Sequence, residues 1–412
     1  MLLNTVQNMF LRKKLVTYTI LNVFDKVLGL ITPFLVLFLF DSVDKFNELE
    51  YILSISMIIV TFVDLGFRDY ILYGYRCFKF GEVEFLKSIE EAYVLLLILY
   101  LSLSILSILF LKFILVSSNL KMILCLISLR ALFLFVTTYY GIVARLKDRP
   151  NNVFVLTICS NILSIFLFLF LYFVNLNFSV QYFFFGPIVV LTYLFAREIK
   201  RFKFPTLNSL KILTVAFRYS WPLLVNALIQ NIVNNYGKVV AFENLSDSDT
   251  FEISFLLRLG TIIQLTHASV SSFYSKKIFI SNDRRVAVSV FKFYATSLLI
   301  GSIVAVIAYF IFCFYSSFFM DGKIQIKTNP SHSILLLFYL FWSLSAYFEL
   351  YLNKHNYNYF VPMISISTLS IYFICLNFGV FSLFSIYLAM FSSALMAFIA
   401  VFFLVWKKNL FK

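Results

Sequence analysis

Apolar residues run along the chain in twelve stretches, each close to the roughly 20 residues a helix needs to cross a bilayer. They lie at about 15–40, 51–73, 92–116, 121–144, 153–175, 179–197, 219–242, 251–274, 288–315, 333–353, 358–377 and 381–406. The stretch at 219–242 is divided lengthwise. Within "NALIQNIVNNYGKVV" (226–240), a helix turning about 100° per residue puts Gln230, Asn231, Asn234, Asn235 and Lys238 between about 40° and 180° from Asn226. Leu228, Ile229, Ile232, Val233, Tyr236, Val239 and Val240 take the opposite side. The pattern predicts a membrane helix with one wet face.

Lys and Arg in the connections set the orientation of such a chain. Cations at the end of a span are counted with its connection. The N-terminal tail, the loops after even-numbered spans and the C-terminal tail then hold 24, and the loops after odd-numbered spans hold 5. Both termini are therefore expected in the cytoplasm. The most basic connection, 197–218, lies at mid-chain and divides it into two expected six-helix bundles, 1–206 and 207–412. A charged segment follows the second span of each half: "FKFGEVEFLKSIEE" (78–91) and "SKKIFISNDRRVAV" (275–288). Parallel halves related by an axis along the membrane normal have this layout. The fold expected is an all-α integral membrane protein of about twelve transmembrane helices in two bundles.

The opening "MLLNTVQNMFLRKK" puts Leu2, Leu3, Val6, Met9 and Phe10 near one helical face, as in a surface-lying helix, with a disordered tail as the alternative. "LRKK" before a long apolar run, with no small-residue cleavage site, suits an uncleaved first span better than a signal peptide.

Composition agrees with the pattern. The 412 residues are 61% hydrophobic and 13% charged, where soluble domains average about 25% charged. Little is left for a water-soluble domain. Cys77, Cys125, Cys159, Cys313 and Cys375 have no CxxC spacing and read as small core hydrophobes. His267, His332 and His355 are far apart, and His267 reads as a satisfied core histidine. The sequence thus predicts no metal site, no cofactor and no catalytic residues. The net charge of +14 follows the loop asymmetry and suits anionic lipid headgroups rather than nucleic acid.

Five cations lie inside spans: Lys26, Arg68, Arg130, Lys238 and Arg258. A mid-membrane charge costs at least about 2.5–3.5 kcal/mol, so such residues face protein or a watery cavity. Lys26 sits near the midplane on a stripe with Asn22, Asp25, Gly29 and Pro33; it faces either a lumen or an ion-pair partner on another helix. Arg68, in "FVDLGFRDY", has Asp64 one turn earlier, so a local salt bridge competes with a lumen-facing role. Arg130 has no acid within a turn and needs a counter-ion from another helix or a ligand. Lys238 could snorkel outward, but that would leave the amides beneath it unexplained. Arg258 shares a face with Ser254, Thr261 and Gln264. Against these cations, Asp25 and Asp64 are the two deep acids, with Asp69 and Glu349 nearer the edges. A cleft lined this way is net cationic and suits an anionic passenger.

Twelve spans with both ends inside, "FVDLGFRDY" closing span 2 and "FRYSWPLLVNALIQNIVNNYGKVV" opening the second half resemble the Wzx-type polysaccharide flippases. These belong to the multidrug/oligosaccharidyl-lipid/polysaccharide exporter superfamily. The resemblance implies a V-shaped pair of six-helix bundles in the bacterial inner membrane. It also implies that Lys26, Arg68, Lys238 and Arg258, on the first two spans of each half, face the lumen. The implied cargo is an undecaprenyl-pyrophosphate-linked oligosaccharide, an O-antigen or capsule repeat unit. Cations would hold its pyrophosphate, with Arg130 a further candidate. Asn226, Gln230, Asn231, Asn234 and Asn235 would meet its hydroxyls.

Membrane lipids and other polysaccharide-assembly membrane proteins are the partners implied. The aspartate that the family often carries near the end of span 7 is replaced here by "NNYGK". That leaves Asp25 and Asp64 as candidates for coupling to H⁺ or Na⁺.

Two rivals differ in class. A drug/cation antiporter of the same superfamily should carry unpaired deep carboxylates. A glycan polymerase or ligase would carry catalytic groups on a large outer loop, whereas the longest outer loop here is 316–332. No nucleotide-binding motif occurs.

Overall fold

The computed structural model describes residues 21, 24–40, 42–67, 70–71, 82–113, 118–146, 152–176, 178–198, 205–280, 283–319, 328–355, 357, 359–378, 381–408 and 410. The surface-helix segment 1–14 and Arg68 lie outside them. Helices α1 (24–40), α2 (Val43–Asp64), α3 (Glu82–Phe113), α4 (Ser118–Leu146), α5 (Asn152–Phe173) and α6 (Phe185–Glu198) come first, with a 3₁₀ turn, Val180–Phe184, leading into α6. Then follow α7 (Leu207–Asn244), α8 (Asp247–Ile280), α9 (Arg284–Phe319), α10 (Ser331–Lys354), α11 (Phe360–Leu376) and α12 (Leu383–Lys407). No strand occurs among the described residues. Among them, ten helices are long and apolar enough to span a membrane, and α11 is a shorter apolar helix.

Local chemistry sets the helix ends. Ser42 caps α2, and Ser382 forms a reciprocal capping box with Ser385 at the start of α12. Leu65 and Gly66 end α2 with positive φ angles of 48° and 69°. A side chain at Gly66 would meet Ser220 Cβ at 2.6 Å, so this turn needs glycine twice over.

The basic connection 197–218 is helical from Leu207 onward. Thr206 N–H donates to Ser209 Oγ at 3.0 Å, and no Gly or Pro interrupts 207–221. Amphipathic residues extend a helix beyond its membrane-spanning part here, a feature that hydropathy alone reads as a loop.

The chain forms two compact units, Met1–Leu224 and Val225–Lys412. In the first, α2, α3, α4 and α6 share a core of Ile89, Tyr93, Phe133, Tyr139 and Leu191, with Tyr93 and Tyr139 stacked at 3.6 Å between ring centres. Gly186 of α6 lies against the Ser160 carbonyl of α5. In the second unit, Gly260 of α8 admits the Tyr339 ring of α10, whose hydroxyl donates to Leu257 O at 2.9 Å. Small residues that let backbones approach are the usual means of helix association in lipid, where burial of apolar surface supplies little drive. Leu299, Ile303, Ile307, Phe310 and Phe314 of α9 stay exposed, as lipid-facing residues do.

Candidate functional site

The wet face of α7 belongs to the second unit. Three of its amides bond their own helix: Asn231 Nδ2 to Ala227 O at 3.1 Å, Asn234 Nδ2 to Gln230 O at 2.9 Å, and Asn235 Nδ2 to Asn231 O at 3.0 Å. Gln264 of α8 donates to Asn234 Oδ1 at 3.3 Å. The two amides nearest Pro222 look elsewhere. Asn226 Nδ2 donates to Glu349 Oε2 on α10 at 3.1 Å, and Gln230 bonds both Asn226 Oδ1, at 3.3 Å, and the same carboxylate. Ser365 of α11 donates to Asn226 Oδ1 at 2.6 Å. Asn226 thus links three helices, α7, α10 and α11, through Glu349 and Ser365.

A pocket opens beside it, walled by Gln230, Trp342, Ser345, Glu349, Ser365 and Thr368. The Ser345 hydroxyl is buried and has no hydrogen-bond partner among the described residues. Removal from water disfavours the charged form of Glu349, and the amide N–H groups turned toward it partly offset that. Sequence reasoning puts Glu349 near the membrane edge and gives it no role. The available signal was its position as the one acid on an otherwise apolar span.

Lys238 is buried, at 9% exposure, on the α7 turn beyond the amides. Arg258 on α8 is half-buried, and its carbonyl accepts from Thr261. His267 is a satisfied histidine, with Nδ1 2.7 Å from the Tyr294 hydroxyl. That hydroxyl donates to Ser343 O, so Nδ1 must carry the proton.

In the first unit, Asp25 is 7% exposed and bonds the Thr157 side chain. Two cations act on it, Lys26 from the same helix and Arg130 from α4. Asp25 thus lies within electrostatic range of Arg130 from another helix. The Arg130 guanidinium also lies 5.3 Å from the centre of the Phe133 ring. Lys26 itself is exposed, and Asp64 is half-buried within electrostatic range of Tyr93. Among the described residues no group of three or more His, Cys, Asp or Glu could hold a metal.

Solved structures share this helix arrangement. The inward closed conformation of lipid II flippase MurJ matches with a TM-score of 0.61 at 17% identity, over 96% of this chain and 89% of that one. The MATE multidrug transporter DinF-BH matches with a TM-score of 0.63 at 16% identity, over 97% and 96%. The chain has the fold of these transporters. A crystal structure of a MATE mutant gives 0.57 at 12% identity, over 96% and 95%. No protein-family model and no curated protein matches the chain. With ten apolar spans among the described residues, the protein is a multi-pass membrane protein of the MurJ and MATE type of fold.

Proposed function

We propose that the protein is a flippase that carries an undecaprenyl-pyrophosphate-linked oligosaccharide, an O-antigen or capsule repeat unit, across the bacterial inner membrane. Both termini lie in the cytoplasm, and the chain works as two six-helix halves. The observation that carries this reading is Asp25. Asp25 is buried, and two cations, Lys26 on its own helix and Arg130 on α4, lie within electrostatic range of this one carboxylate. Lys238, Arg258 and Arg68 extend the same sign, and a pyrophosphate is the anion they receive. The amides of α7 meet sugar hydroxyls, and the lipid tail stays in the bilayer. A headgroup with about two negative charges gains about 4–5 kcal/mol per 100 mV, inside negative, on moving outward.

Glu349 joins Asp25 and Asp64 as a group that takes H⁺ or Na⁺ during the cycle. Its half-buried place against amide donors also favours a second reading, a cation-coupled drug or small-molecule antiporter on the same fold. Reconstituted protein tests the two. Movement of a lipid pyrophosphate-linked glycan, without movement of cationic dyes, supports the flippase. The reverse result supports the antiporter.

A further inference from the structure

At the end of α10 opposite Glu349, a second polar cluster joins four helices of the second unit. The two lie 17 residues apart, about 26 Å along the helix. His332, in the first turn of α10, is 3% exposed, and its Nε2 lies 2.8 Å from Glu252 Oε1 of α8. The Tyr387 hydroxyl of α12 donates to the same oxygen at 3.2 Å. On the other side of the ring, Nδ1 lies 2.8 Å from the Tyr309 hydroxyl of α9. Both tyrosine rings stand edge-on to the imidazole, at 85° and 88°. The other ionisable groups facing the cluster are Cys313, which bonds Tyr309, and Asp249, within electrostatic range of Tyr387.

The bonding fixes what each nitrogen does. A carboxylate only accepts, so Nε2 carries a proton toward Glu252 in either charge state of the ring. In the neutral ring Nδ1 therefore accepts from Tyr309. If Nδ1 takes a proton, it becomes a donor to the Tyr309 oxygen, and the phenol proton turns to the neighbouring Cys313 sulfur. No hydrogen bond is lost in either state. The bond to Glu252, charge-assisted through the carboxylate in either state, becomes an ion pair when the ring is charged.

We propose that His332 is a proton-binding site. It takes the proton on Nδ1, with Tyr309 as the reversing partner, and ties α8, α9, α10 and α12 more tightly when charged. Histidine is suited to this because it changes charge between about pH 5 and 8. Under the proposed orientation this end of the unit faces outward, so the site reads external pH whatever the cargo.

The chain has three histidines. Magic-angle-spinning NMR of ¹⁵N-histidine-labelled full-length protein in lipid bilayers resolves them, with His332→Gln assigning the signal. Spectra taken from about pH 8.5 down to about pH 5 are expected to show His332 Nδ1 passing from acceptor to protonated on acidification, while Nε2 stays protonated throughout. Glu252→Gln abolishes that switch in the same window, and Tyr309→Phe alters the Nδ1 signal at both extremes. The thermal unfolding temperature of each variant at one pH checks that it is folded, and a collapsed variant leaves the wild-type titration to decide. An Nδ1 that holds one protonation state across the range overturns the proposal. So does loss of the Nε2 proton, or protonation of Glu252 in place of the ring. The titration reads no transport, so it can fail while the flippase reading stands, and the reverse.

Discussion

Asn226 and Glu349, 123 residues apart, meet inside the second unit, where the Asn226 amide donates to the carboxylate at 3.1 Å. A membrane helix that reads as a surface for cargo is thus anchored at one end by a half-buried acid. Its amide face divides into an anchored part, Asn226 and Gln230, and a part bonded along its own helix, Asn231, Asn234 and Asn235.

Replacing the acid separates its two roles. Glu349→Leu leaves the half-buried Asn226 amide without its acceptor, at about 1–3 kcal/mol at most for the unpaired group, while Gln230 keeps Asn226 Oδ1. The unfolding temperature and cellular abundance should fall. Glu349→Gln keeps a polar partner of the same shape and should accumulate normally. Its transport should no longer depend on an imposed H⁺ or Na⁺ gradient. Unchanged gradient dependence in that variant removes Glu349 from the coupling scheme.

The amide face can be tested apart from its anchor. Asn234→Leu alone removes the bond from Gln264, worth about 0.6 kcal/mol in the average membrane case, and should leave stability nearly unchanged. Gln230→Leu with Asn234→Leu should still insert, since the helix only becomes more apolar, yet should lower export of the lipid-linked glycan. Normal surface glycan at normal protein level would make the face interhelical glue and nothing more.

Close packing predicts a different phenotype. Gly186→Ala drives a methyl into the Ser160 backbone carbonyl, which has nowhere to go. Gly260→Ala drives one into the Tyr339 ring, whose hydroxyl is held by Leu257 O. Both should destabilise by about 1–3 kcal/mol or more and lower abundance together with activity. Gly29→Ala, where the nearest atom to an added methyl is Asn161 Nδ2 at 3.9 Å, is the control that should be tolerated.

The all-helical character was legible because long apolar runs admit few other structures in lipid. Arg130 shows how far the residues go by themselves. The lack of an acid within a turn pointed to another helix or a ligand, and only packing could bring Asp25 on α1 into electrostatic range. The amide stripe was legible from a periodicity of about 100°, but its partner Glu349 was not, since periodicity carries no information across 123 residues. The start of α7 at Leu207 was missed for the opposite reason: charged, amphipathic residues extend a helix as readily as they make a loop.

Orientation follows from the cation asymmetry and is checked by labelling. In a cysteine-free background, a membrane-impermeant thiol reagent applied from outside should modify Ser246→Cys and miss Asn208→Cys. The reverse pattern would invert the topology and the direction of transport.

The sign of charge around Asp25 and on α8 tests the flippase reading most directly. The measurement is surface polysaccharide restored to a deletion strain, with protein abundance determined in the same cells, for variants of Lys26 and Arg258. Lys26→Arg and Arg258→Lys should keep much of the activity, subject to the different geometry of the two cations. Lys26→Gln should lose most of it at normal abundance, and Lys26→Glu should do worse, because the new charge repels the passenger. If Lys26→Gln and Arg258→Gln both accumulate normally and restore full surface polysaccharide, positive charge does not carry the cargo, and the flippase reading fails.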